Sequence, residues 1–144
     1  MNKKRLLLKL SGEVLKGPQE HGIHAESVHE LVLALKAFRE AGFELGIVIG
    51  GGNIFRGILS KALKIHKSPA DYMGMLATII NGIAIQQSLE AFNCKAHVMS
   101  GLDCQQAVEP YNWYKACGYL EKGEIVIFFL LRTQVCQEYL MPFF

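Results

Sequence analysis

A chain of 144 residues, 51% apolar and 19% charged with a formal net charge of +2, is long enough to bury one substantial core. The near-balance of charge excludes the basic stripe of a nucleic-acid binder, and the low charged fraction favours a compact soluble protein around a buried sheet. Cys94, Cys104, Cys117 and Cys136 show no C-x-x-C spacing, and the five histidines are scattered. The sequence therefore predicts reduced, mostly buried thiols and no metal site. Met1 to Arg5 leads into only three leucines before Lys9, which is no secretory signal, so a cytoplasmic location is expected.

In chain order, an apolar strand over 5–10 is followed by the polar segment Gly17-Pro18-Gln19-Glu20-His21-Gly22. A helix over 25–41 follows, with Val28, Leu31, Val32, Leu35 and Phe38 on one face and Glu26, Glu30, Lys36 and Arg39 opposite. Gly42 stands where a left-handed helix stop belongs. A second strand over 43–49 ends at a glycine triplet, and a loop through 61–69 leads to a helix over 70–91. The weakly charged stretch Tyr72–Leu89 contains Thr78, Asn81, Gln86, Gln87 and Ser88, too many polar groups for a span of about 20 apolar residues, so a helix buried on most sides is expected. A short strand over 95–99, a helix over 112–122 and a strand over 124–128 complete the pattern. Strands alternating with helices predict an α/β fold with a mostly parallel sheet covered on both faces. In such sheets ligands sit at the carboxyl ends of the strands.

Both glycine-bearing turns lie at that end. In Leu8-Lys9-Leu10-Ser11-Gly12-Glu13 and in Val48-Ile49-Gly50-Gly51-Gly52-Asn53-Ile54-Phe55-Arg56-Gly57, a buried-type strand runs into small residues with a cation nearby. Glycines let backbone N–H groups approach an anion, and Lys or Arg adds charge. Two such turns suggest two phosphate groups held side by side. Lys9 reads as a cation reaching a phosphate, with Ser11 and Gly12 as donors, or as a lysine snorkelling from the strand. Arg56 reads as a bidentate phosphate fork or as a solvated side chain. Asp71, at the start of the long helix, reads as an N-cap or first-turn acid, or as an acceptor of ribose hydroxyls. Tyr72, Met73 and Met75 read as core or interface packing, Trp113 and Tyr114 as structural, and Glu13 as ambiguous. The glycine triplet is neither G-x-G-x-x-G nor a Walker loop.

Together with Ala70-Asp71-Tyr72-Met73-Gly74-Met75-Leu76-Ala77-Thr78-Ile79-Ile80-Asn81-Gly82, these blocks resemble bacterial uridylate (UMP) kinases, in order and spacing, from about residue 5 to 128. The resemblance implies the amino-acid-kinase fold, a three-layer α/β/α sandwich. It also implies transfer of the γ-phosphoryl group of ATP to UMP, giving ADP and UDP, in pyrimidine nucleotide biosynthesis with Mg2+. It assigns Lys9, Leu10, Ser11, Gly12, Gly52 and Arg56 to ATP, with Lys9 catalytic and nearest the transferred group, and Gly51 and Asp71 to UMP. The segment from Gly17 to Gly22 corresponds to the region for the activator GTP. Lys67 stands where the family often has arginine. A homo-oligomer, hexameric in the family, is implied, with neither nucleic acid nor membrane as partner.

Residues 1–128 thus read as the amino-terminal part of such a domain, and 129–144 as a non-matching tail. That tail holds no glycine, aspartate or asparagine where the family has a UMP loop and then an adenine pocket. Shifted by one nucleotide, codons for 130–137 permit a family-like loop, so a frameshift is the expected origin and weak or absent activity the expected result. With Phe128, Phe129, Phe143 and Phe144 uncovered, the tail is expected to pack poorly. The alternative function is a non-catalytic remnant that binds an intact kinase oligomer. A dinucleotide-binding domain is a third reading.

Overall fold

The computed structural model describes residues 4–129. Its elements are β1 (Arg5–Leu10), α1 (Glu13–Lys16), α2 (Ala25–Glu40), β2 (Glu44–Ile49), α3 (Gly57–Ala62), α4 (Lys67–Ala91), β3 (Ala96–Ser100), β4 (Glu109–Pro110), α5 (Trp113–Glu121) and β5 (Ile125–Phe129). All strand pairs are parallel, in the order β1-β2-β5-β3-β4. From β1 to β4 the chain moves one way across the sheet, and then α5 carries it back to insert β5 between β2 and β3. Right-handed crossovers put helices of opposite travel on opposite faces. The side chains agree. Leu45, Ile47, Ile49, Val98, Ile125 and Ile127 pack with Val28, Val32, Leu35 and Ile85 of α2 and α4, whereas Met99, Val126 and Phe128 pack with Ala116 and Leu120 of α5. Alternate strand residues therefore feed two apolar layers, giving the α/β/α sandwich.

Local signals explain most boundaries. Helix α2 closes through its expected glycine: Gly42 has φ +90°, its N–H donates to Arg39 O (2.9 Å), and Phe43 N–H donates to Phe38 O (3.2 Å). This pair of bonds is a Schellman stop, and the Phe38 and Phe43 rings meet edge-on at 6.0 Å beside it. Phe38 is therefore exposed at the helix end rather than in the core. Asn112 caps α5, its side chain accepting from Lys115 N–H at 3.0 Å. Helix α4 begins at Lys67, earlier than expected, because Pro69 falls in its first turn, where the missing N–H costs nothing.

Four expectations change. Helix α4 is buried on one face only, through Ala77, Ile79, Asn81, Gly82, Ile85 and Leu89, while Tyr72, Met73, Leu76 and Ile80 are exposed. Tyr114 is 88% exposed, so of the two aromatic neighbours only Trp113 packs on the core. The short elements α1, α3 and β4 lacked any periodic signal. Phe129, the first residue assigned to the tail, closes β5 and is buried. The expectation for the rest of the tail lies outside the described residues. No helix among the described residues is long and apolar enough to cross a membrane.

Cys94, Cys104 and Cys117 are free thiols, and Cys94 is fully buried. Burial pushes the Cys94 thiol above its ordinary value of 9.0. At the amino end of the sheet, the Tyr119 ring stacks on His97 at 3.5 Å, and its hydroxyl donates to Glu109 (3.1 Å). Burial, and then Glu109, push Tyr119 above its ordinary 10.0. Both groups hold their protons more tightly when folded, so their contributions are complete below pH 9.0 and are lost as pH rises through and beyond 10.0. A melting series from neutral to alkaline pH should be level to about 9 and then fall, and the fall should be shallower in a Cys94→Ala, Tyr119→Phe variant.

Candidate anion-binding site

Strands β1 and β2 run side by side from Arg5↔Glu44 to Leu10↔Ile49, so both glycine turns leave the same edge of the sheet. Gly50 N–H donates to Leu10 O at 2.9 Å, closing one turn on the other. Gly12 sits at the crossing. A Cβ there would lie 2.3 Å from Asn53 Oδ1 and 2.6 Å from Gly50 O, although its φ of −57° suits any residue. Close approach, not backbone conformation, requires this glycine. A Cβ on Gly51 would lie 2.8 Å from Ala77 Cβ and 3.0 Å from Gly74 O, so Gly51 seats the loop against α4. Gly52 has nothing within 4 Å of its Cβ position and is open to a ligand.

Two buried asparagines bolt this arrangement together. Asn53 (1% exposed) and Asn81 (0%) exchange amide hydrogen bonds of 3.0 and 2.7 Å, and Asn81 Nδ2 also donates to Gly50 O at 2.8 Å. Asn53 Nδ2 donates to Gly22 O (2.9 Å), and Gly22 N–H donates to Asn53 O (2.7 Å). Gly22, the last residue of the 17–22 segment, is thereby tied to the glycine loop. Gly17 and Gly22 both have positive φ, +55° and +85°, and a Cβ on Gly17 would strike Ser27 Oγ at 2.4 Å. Neither asparagine was assigned a role from sequence. The available signal was an amide at position 81 inside an apolar helix, which calls for a buried partner.

The cations are disposed differently from one another. Lys9 is exposed near the end of β1, and among the described residues no carboxylate pairs with it. Arg56 is no freely solvated side chain: its Nε donates to Gly52 O at 2.8 Å, and its guanidinium pairs with Glu13 Oε1. Lys16 Nζ lies 3.0 Å from Glu13 Oε2. Glu13 therefore links the two turns and occupies the guanidinium that a phosphate would use. Glu13→Gln should change stability by no more than about 0.5 kcal/mol, because exposed ion pairs contribute little. The same change should tighten binding of inorganic tripolyphosphate several-fold in calorimetric titration, by freeing Arg56. Ser11 is exposed, and its Oγ accepts from Glu13 N–H at 3.3 Å. Asp71 is exposed and sits in the second turn of α4, whose N-cap is His66, so it neither caps nor opens the helix. It lies about one turn before Gly74, where α4 touches Gly51.

The structure thus brings Lys9, Leu10, Ser11, Gly12, Gly51, Gly52 and Arg56 to one edge, with Gly22 bonded to Asn53 of the second turn and Asp71 on the helix alongside. The sequence profile of the amino acid kinase family matches residues 4–131. A uridylate kinase of Protochlamydia amoebophila is 53% identical over 125 residues, covering 87% of this chain and 50% of that protein. The Zymomonas mobilis uridylate kinase is 48% identical over 124 residues, 86% of this chain and 51% of its own length. The crystal structure of a UMP kinase from Bacillus anthracis superposes with a TM-score of 0.82 at 36% identity, covering 87% of this chain and 52% of that one. A UMP kinase from Ureaplasma parvum gives 0.83 at 34% identity, over 89% and 54%. The chain spans about half the length of the curated relatives it matches. On a profile match from residue 4 to 131 and a shared three-layer fold, this chain belongs to the amino acid kinase family.

Proposed function

We propose that this chain carries the phosphate-binding half of a UMP kinase, which transfers the γ-phosphoryl group of ATP to UMP. The observation that supports this best is the closure of two glycine turns on adjacent parallel strands, flanked by Lys9 and Arg56. In the reaction an oxygen of the UMP phosphate bonds to the γ-phosphorus while the bond to the β-γ bridging oxygen breaks, releasing ADP. Little covalent work falls to the protein, and positioning and charge supply the rate. Lys9, nearest the transferred group, meets charge developing on the phosphoryl oxygens. Leu10, Ser11, Gly12 and Gly52 offer backbone N–H groups and a hydroxyl to ATP phosphates, and Arg56 supplies a fork once released from Glu13. Gly51 and Asp71 serve UMP, Asp71 accepting from ribose hydroxyls.

Mg2+ bound with ATP would neutralise phosphate charge. Such an ion is ordinarily held through the substrate's phosphate oxygens and water, with one or two carboxylates at most. GTP acting at Gly17–Gly22 would press on the glycine loop through the Gly22–Asn53 bonds. Homo-oligomer formation is favoured by the exposed apolar side chains Ile58 and Leu63 of α3 and Tyr72, Leu76 and Ile80 of α4. A cytoplasmic location is part of the same proposal, being where ATP-dependent nucleotide synthesis is ordinarily supplied with substrate. Coupled assay of UDP formation with the full chain is the test. Little or no turnover is expected of these 144 residues by themselves, because they span about half of the relatives' length and both substrates must be held in line. Robust turnover that vanishes in Lys9→Ala would contradict that limit while supporting the site.

A further inference from the structure

Helices α2, α3, α4 and α5 end in the same two-bond stop, and α3 departs from its residue rule. At the close of α2, α4 and α5 the left-handed position is held by Gly42, Asn93 and Gly123, with φ +90°, +56° and +74°. Glycine and asparagine are the residues that tolerate it. Helix α3 makes the stop with Lys64 at φ +53°. Its N–H donates to Lys61 O (3.1 Å), and Ile65 N–H donates to Ser60 O (2.9 Å). A Cβ in this conformation crowds the following carbonyl, a cost that glycine avoids. Lys64 is exposed, so its stem covers no core, and charge is the property that a glycine there would lack.

That charge has company. Of the chain's 15 basic residues, Arg56, Lys61, Lys64 and Lys67 fall within 45–70, a stretch that holds none of its 13 acidic residues. Lys61, Lys64 and Lys67 are exposed, and among the described residues none of them pairs with a carboxylate. Helix α3 starts directly after Arg56 and is six residues long, about 9 Å. Helix α4 starts at Lys67 and meets Gly51 through Gly74. The α3–α4 junction is thus tied at both ends to the second glycine turn. We propose that this junction is an electrostatic collar, in which Lys61 and Lys64 draw a polyphosphate toward the two turns through space, without touching it. The inference rests on the phosphate site proposed above and adds the source of its long-range attraction. Screening reaches about 20 Å at 20 mM salt and only about 5 Å at 0.3 M, so such a pull is strong at low salt and nearly gone at high.

The test is an amide-shift titration of the full chain with inorganic tripolyphosphate, read at Gly12 and Gly52 at about 20 mM and about 0.3 M salt. A Lys61→Gln, Lys64→Gly variant should bind roughly three- to tenfold more weakly than the parent at low salt. At high salt the two should agree within about twofold, which the loss of a contact or of local structure would not produce. Lys61→Arg, Lys64→Arg keeps both charges and should match the parent at both salts. Lys64→Gly alone should not lower the melting midpoint. Equal affinities of parent and neutral variant at low salt would overturn the inference and leave the phosphate site standing. A deficit undiminished at high salt would also overturn it, in favour of direct contact. A lower midpoint in Lys64→Gly would do so by showing that the lysine serves the helix end. No binding by the parent at low salt would overturn both the collar and the site that it serves.

Discussion

Asn81→Ala is expected to lower stability by about 3 kcal/mol, because it takes partners from the partly buried Gly50 carbonyl and from the buried Asn53 side chain, whose Oδ1 is left unpaired, at roughly 1–3 kcal/mol each. The Gly50 carbonyl loses its 2.8 Å bond, and the Asn53 amide loses both of its bonds to Asn81. For a chain of this size the melting midpoint should fall by about 6–12 °C. Because Asn53 also holds Gly22, phosphate binding should weaken along with stability. An Asn53→Leu, Asn81→Leu double variant should lose less than the sum of its single changes, since two unpaired amides disappear together. Strict additivity in thermal melts would show that the two amides do not act as a pair.

Gly12→Val is expected to cost about 3 kcal/mol, the upper end of ordinary overpacking. Its Cβ would meet a backbone carbonyl, Gly50 O, 2.6 Å away and anchored by Asn81, so the neighbour cannot swing aside. Gly52→Ala is the control: with nothing within 4 Å, its stability should stay within about 0.5 kcal/mol of the parent. Chemical denaturation of both variants separates the two cases, and equal losses would mean that the turns do not cross as described.

The sheet was legible because its signals are local. Short apolar runs ending in Ser11-Gly12 and Gly50-Gly51-Gly52 mark strands that stop at a ligand edge, and Gly42 marks a helix stop that φ +90° makes compulsory. The proposed anion-binding edge could be located once both turns fell at carboxyl ends. What escaped was set by tertiary contact. Helix α1 has four residues and α3 six, too few to show a period, and β4 exists only as a two-residue pairing with β3. The start of α4 was misplaced because Pro69 reads equally as a loop breaker or a first-turn residue. The Glu13–Arg56 pair joins residues 43 positions apart. The Asn53–Asn81 pair joins residues 28 apart, and no spacing rule links them.

Amide chemical-shift mapping of the full chain titrated with Mg-ATP bears most directly on the two-turn phosphate site. Changes should concentrate at Ser11, Gly12, Gly51 and Gly52, include the Arg56 Nε as it leaves Glu13, and largely disappear in Lys9→Ala. Changes centred instead on His97 and Tyr119 at the amino end of the sheet, changes at the turns that survive Lys9→Ala undiminished, or no changes at all would contradict a phosphate site built from these two glycine turns.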